Sequence, residues 1–95
     1  MKHHARTDAN HAAIVDALRR VGAAVTSLAA VGHGVPDLLV SYRGQWILME
    51  LKDGAQPPSR RRLTPDEAAW CQQQHAPVWV VGSVDDALMA LGAGL

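Results

Sequence analysis

The chain has 95 residues, 48% of them hydrophobic, and nine basic side chains against nine acidic ones, for a formal net charge of zero. The hydrophobic share excludes a disordered chain, and the length leaves room for one domain. Neutrality withholds the basic excess that nucleic-acid binders usually carry. The charges are nonetheless unevenly spread. Arg60, Arg61 and Arg62 form one run, Lys2 and Arg6 lie among histidines at the N-terminus, and acids gather at Asp66, Glu67, Asp85 and Asp86. A single cysteine, Cys71, leaves no intramolecular disulfide and fits a reducing compartment. No apolar run approaches the roughly 20 residues that cross a bilayer. No signal peptide is visible, so the expected location is the cytoplasm, with no membrane partner.

Residues 1–6 read as a loose arm, and residues 7–95 as the folded domain. Thr7 or Asp8 caps a predicted helix that runs to about Arg20 and stops at Gly22. Ile14, Val15, Leu18 and Val21 form its apolar stripe. His11 falls on that stripe, with Asn10 at its edge. His11 is then either a half-buried histidine with a local hydrogen bond or a side chain reaching an acidic site further on.

Ala24–Ala29 reads as a short strand. In Val31-Gly-His-Gly-Val-Pro36, two glycines around His33 permit positive φ or close backbone approach. His33 is either a plain loop residue or a phosphate contact and proton shuttle near the acids that follow.

The stretch GVPDLLVSYRGQWILMELK, Gly34 to Lys52, carries the chemistry. Two runs rich in Val, Leu, Ile, Tyr and Trp flank Arg43-Gly44, which predicts a hairpin. With those two as the loop, Tyr42 faces Gln45, Ser41 faces Trp46, and Asp37 falls opposite Glu50. Lys52 projects from the same face as Glu50. Like charges directly opposite in a ladder are destabilising. A hard divalent cation removes that repulsion, because carboxylates suit Mg²⁺ and Mn²⁺. The ammonium can orient water or steady developing negative charge. The plainer alternative is a surface hairpin with an ordinary Glu50–Lys52 pair. Both strand faces are apolar, which predicts interior strands covered by helices.

After a loop from Asp53, the arginine run 60–62 is either a solvated face or a phosphate contact. Thr64-Pro65-Asp66-Glu67 is a helix start, with Thr64 as cap, Pro65 in the first turn and Glu67 completing a capping box. That helix is expected to reach about His75, with Cys71 on its wall. Pro77–Val81 reads as a buried strand, and Ser83 caps a last helix through Leu91. The predicted order is αβββαβα, an α/β fold whose last strand runs parallel to the one bearing Glu50.

Pro36-Asp37 followed by Glu50-Leu51-Lys52 resembles the PD-(D/E)XK nuclease signature. The wider string GVPDLLV…ELKDG…LTPDE…PVWVVGSVDDAL resembles the small VRR-NUC (virus-type replication-repair nuclease) domains of phages and bacteria, over about Thr7 to Leu91. The resemblance implies a restriction-endonuclease-like αβββαβα core with a mixed central sheet flanked by helices. It also implies a Mg²⁺- or Mn²⁺-dependent endonuclease acting on DNA phosphodiesters. Branched or structured substrates such as Holliday junctions, and a homodimer, follow from the same likeness, in DNA replication, recombination or repair of a bacterial or phage-infected cell. By the family pattern, Asp37, Glu50 and the Leu51 backbone carbonyl bind metal, and Lys52 activates water and stabilises the pentavalent phosphate. The chain departs from the pattern twice. His11 stands where the family often has an acid in its first helix, so a second metal loses a carboxylate. Glu67 stands where the family often has Gln. A non-catalytic DNA-binding module on the same fold is the alternative implied by the first departure, and a small dimerisation or regulatory protein is a third reading.

Overall fold

The computed structural model describes the backbone over residues 4–92 and side chains over residues 10–92. Helix α1, His4–Arg20, is followed by strands β1 (Ala24–Ser27), β2 (Leu38–Tyr42) and β3 (Gln45–Leu51). A single 3₁₀ turn at Pro58–Arg60 precedes helix α2 (Pro65–Gln72), strand β4 (Val78–Val81) and helix α3 (Val84–Gly92). The order is the expected αβββαβα. The chain is a mixed α/β fold, with a four-stranded mixed sheet flanked by helices. Strand order is β1-β2-β3-β4, with β4 parallel to β3 and the other pairs antiparallel.

Several boundaries differ from the sequence reading, β4 beginning at Val78 instead of Pro77 among them. Helix α1 begins at His4, within the arm read as loose, so Thr7 and Asp8 lie inside it instead of capping it. Nothing in His4-Ala5-Arg6 opposes helix, and a short polar residue need not cap when the preceding residues propagate well. Strand β1 ends at Ser27, two residues early. Helix α2 stops at Gln72, before the expected His75. The start of α2 is as read: Thr64 accepts from the Glu67 N–H, Glu67 reaches back to the Thr64 N–H, and Pro65 stands in the first turn.

The hairpin register is the predicted one. Tyr42 faces Gln45, Ser41 faces Trp46, and the ladder continues outward to Leu38 opposite Met49. Arg43 and Gly44 turn the chain with φ of 49° and 81°. Positive φ at both central positions is what a two-residue hairpin loop matched to strand twist requires.

Alternation sorts the sheet into two unlike faces. Leu38, Val40, Ile47, Met49, Leu51 and Val81 are buried, packed with Ile14 and Leu18 of α1 and Ala87, Ala90 and Leu91 of α3. The opposite face carries Leu39, Trp46, Leu48, Glu50, Lys52, Val78 and Val80. It is less covered than the apolar pattern implies: Trp46 is 75% exposed, Val80 is 47% exposed, and α2 buries none of its residues. The second face is only partly covered: Glu50 is buried and Leu39 and Leu48 half-buried, while Trp46 and Val80 stay open.

Gly34 sets where α2 begins. Its φ is +83°, and a Cβ there would meet the carbonyl group of Asp66 and the Glu67 nitrogen. Gly34→Ala is therefore expected to lower stability by about 1–3 kcal/mol. The check is a shift of the urea midpoint at unchanged slope. An unmoved midpoint contradicts this packing of the loop on α2.

Candidate metal centre

The hairpin's open end forms a cleft of about 390 Å³, lined by Asp37, Glu50, Leu51, Lys52 and Glu67 together with Asn10, Asp53, Gln56 and Arg60. Extending the ladder one step beyond Leu38 and Met49 sets Asp37 against Glu50. One further step sets Pro36 against Leu51. Proline has no N–H, so the ladder cannot continue there. The Leu51 N–H instead donates to Asp37 Oδ2 at 2.8 Å, and the Asp37 carbonyl accepts from the Leu28 N–H at 2.8 Å. These bonds fix the Asp37 carboxylate against the end of β3. Leu51's N–H and C=O lie on the same side of an antiparallel strand, so its carbonyl faces the Asp37 side with no donor from Pro36.

Glu50 is the buried charged residue among those described, 4% exposed. Burial, then the neighbouring Asp37 carboxylate, then Glu67, push its carboxyl up to about 9 from an ordinary 4.5. Lys52 Nζ lies 3.8 Å from Glu50 Oε2 and 2.7 Å from Glu67 Oε1. Glu67 Oε1 also accepts the Thr64 N–H at 2.8 Å. Partial burial works to raise Glu67, but the Lys52 ammonium and the Thr64 N–H outweigh it, and the carboxyl ends below its ordinary value. Glu67 is thus both a helix cap and the partner of Lys52. One turn on, the half-buried Cys71 thiol is pushed up by burial and by the charges of Glu50 and Glu67. It is a wall residue, as read.

The other sequence candidates part company here. His11 does not reach the cleft. It lines a separate groove with Val15, Val25, Ser27 and Leu38. His33 is exposed, at φ 56° between two positive-φ glycines, and does not line the cleft. Of the arginine run, Arg60 lines the cleft, while Arg61 and Arg62 are exposed away from it. The helix α1 residue that does enter the site is Asn10, whose Nδ2 donates to the Lys52 carbonyl at 3.0 Å. The signal for it was available: Asn10 precedes the fully buried Ile14 by four residues and Leu18 by eight, so one stripe runs from core to cleft.

The donor set suits a hard cation. Asp37 and Glu50 supply carboxylates and Leu51 a carbonyl, while Glu67 is engaged by Lys52 and the Thr64 N–H. Among the described residues, no group of three or more His, Cys, Asp or Glu side chains is arranged to hold a metal ion. Mg²⁺ is commonly bound through one or two carboxylates and keeps several waters, which this smaller set fits. The raised Glu50 supports the same conclusion, since an acid crowded by acids is relieved by a cation.

A pH dependence follows. Glu50 binds its proton more tightly folded than unfolded, so its contribution to metal-free stability is greatest below about pH 4.5 and is lost as pH rises towards 9. The loss is no steeper than about 1.4 kcal/mol per pH unit. Glu67, lowered, works the other way and loses its contribution as pH falls below the ordinary carboxylate range. Mg²⁺ binding at pH 7 is accordingly expected to release a proton, seen in calorimetry as a binding heat that varies with the buffer's ionisation enthalpy. A buffer-independent heat contradicts the raised Glu50.

No family model, curated protein or solved structure matches the chain.

Proposed function

We propose that this chain is a divalent-metal-dependent DNA endonuclease of the VRR-NUC type, with a restriction-endonuclease-like core. The observation that carries the reading is that the Asp37 carboxyl lies against the buried Glu50 at the end of β3, with the Lys52 ammonium beside them. The αβββαβα order and the parallel β3–β4 pair support it. Mg²⁺ or Mn²⁺, held by Asp37, Glu50 and the Leu51 carbonyl, would neutralise the phosphate and make water a better nucleophile.

The chain's own groups do the rest. Asp37 is oriented by the Leu51 N–H before substrate arrives, so little reorganisation is needed. Water oxygen forms the new bond to phosphorus, the bond to one ester oxygen breaks, and the departing alkoxide takes up a proton. Negative charge grows on the pentavalent phosphorus, and the Lys52 ammonium, steadied by Glu67, would lower that charge's energy. Arg60, whose guanidinium lines the cleft, would meet a flanking phosphate. Branched or structured DNA is the proposed substrate, and a homodimer the proposed working form.

The test is cleavage of a four-way junction, a duplex and supercoiled plasmid, with and without Mg²⁺. Mg²⁺-dependent cleavage that disappears in Asp37→Ala is expected. No cleavage of any of the three with either Mg²⁺ or Mn²⁺ rejects the proposal. The second reading is a non-catalytic DNA-binding module on this fold, favoured because Glu67, the further acid beside the pair, is engaged by Lys52 and the Thr64 N–H, and no three acid, histidine or cysteine side chains among the described residues are arranged to hold a metal. It calls for DNA and Mg²⁺ binding with no cleavage.

A further inference from the structure

We propose that Asn10 is a positioning residue for Lys52, a role that rests on the nuclease reading above. Lys52 follows the last residue of β3, where a strand end is prone to open locally. Its backbone is nonetheless held at both its N–H and its C=O. The Lys52 N–H donates to the Val81 carbonyl at 2.9 Å, and the Lys52 carbonyl accepts from Asn10 Nδ2 at 3.0 Å. Its ammonium is held in turn by Glu67 at 2.7 Å. Three elements thus converge on one residue: β4 through Val81, α1 through Asn10 and α2 through Glu67.

The Asn10 bond joins residues 42 apart in sequence and is partly buried. A carbonyl only accepts, so the Asn10 amide must present its nitrogen, and the side chain's orientation is determined. The helix behind it is anchored, because Ile14 and Leu18 on the same stripe are fully buried. A rigid α1 therefore sets the height of the Lys52 Cα above the cleft, and Glu67 sets where the ammonium points. An ammonium displaced by an ångström from the growing phosphorane charge loses much of its effect.

The role makes demands that mere packing does not. Asn10→Ala removes the donor, and Asn10→Leu removes it while filling the space with a larger apolar side chain of higher helical preference. Neither touches Asp37, Glu50 or Leu51. Both variants are expected to lower kcat about tenfold or more, with KM for DNA and the Mn²⁺ dissociation constant within about twofold of wild type. In a double-mutant cycle, Asn10→Ala is expected to cost nothing further once Lys52 is Ala, since there is no longer an ammonium to place. Losses that multiply in the cycle overturn the proposal, as does a wild-type kcat in Asn10→Leu or an effect confined to KM or metal affinity. A wild-type chain that cleaves no DNA removes the nuclease reading and this role with it. An active wild type with multiplying losses removes only the role of Asn10.

Discussion

Lys52→Ala is expected to slow DNA cleavage by about 10²–10³-fold while leaving Mn²⁺ bound. The magnitude is that of removing one preorganised charge-stabilising donor from a phosphoryl or acyl transfer site. The variant separates two functions that the cleft combines. Asp37, Glu50 and the Leu51 carbonyl remain, so the cation still has its ligands. What disappears is the positive charge 3.8 Å from Glu50 and 2.7 Å from Glu67. Removing it also leaves the partly buried Glu67 without its ammonium partner, so stability falls as well, by about 1–3 kcal/mol in the metal-free protein. Part of that loss returns when Mn²⁺ is added, because a cation bound to the folded protein adds its binding free energy to the stability. Single-turnover cleavage rates, metal titration and denaturant midpoints with and without Mn²⁺ check the three parts separately. Near-wild-type cleavage in Lys52→Ala removes the ammonium from the mechanism.

Glu50→Gln is expected to do something less intuitive: make the metal-free protein more stable at pH 8 while abolishing cleavage. At that pH an unfolded glutamate is ionised, whereas the folded protein holds Glu50 largely protonated, with its carboxyl pushed up to about 9. Folding must then draw a proton from a solution that supplies few. Glutamine is neutral in both states, so that cost vanishes. The gain is on the order of 1–3 kcal/mol at pH 8 and shrinks towards pH 5, where the unfolded carboxyl is itself nearer to protonated. Asp37 and Glu67 also lose a neighbouring acid. The same substitution removes an anionic ligand, so metal affinity and turnover fall together. Denaturant midpoints at pH 5 and pH 8 decide the matter. A variant no more stable relative to wild type at pH 8 than at pH 5 contradicts the crowded, protonated Glu50. The pair of outcomes is a stability–function trade-off confined to one carboxyl oxygen.

Much of the arrangement was legible because the hairpin is short and its period strict. Two loop residues, Arg43 and Gly44, determine every pair down to Leu38 and Met49, and from there the meeting of Asp37 with Glu50 is counting. The helix start at Thr64 was equally plain, since a capping box is a local device and needs no tertiary information. The failures are tertiary. Leu39, Leu48 and Val80 look like core on an apolar strand, yet the sequence does not say that α2 covers their face thinly, leaving Trp46 and Val80 open. His11 drew attention as the more reactive neighbour, but the stripe through Ile14 and Leu18 belongs to Asn10, and a rotation of one residue sends the histidine to another groove. Glu67 was read as a cap, at a position where the resembled family often has Gln. That one oxygen both caps α2 and grips Lys52 depends on where the crossover sets α2 against β3, which local pattern cannot express. His33 sat close in sequence to the acids, but in a left-handed loop it is exposed and does not line their cleft.

The most direct measurement is anomalous scattering from crystals of the protein soaked in Mn²⁺. The account predicts a manganese peak in the cleft, with oxygen ligands from Asp37, Glu50 and the Leu51 carbonyl at about 2.0–2.3 Å, and Lys52 still in contact with Glu67. A peak at the histidines alone, or none at a concentration that supports cleavage, would contradict it.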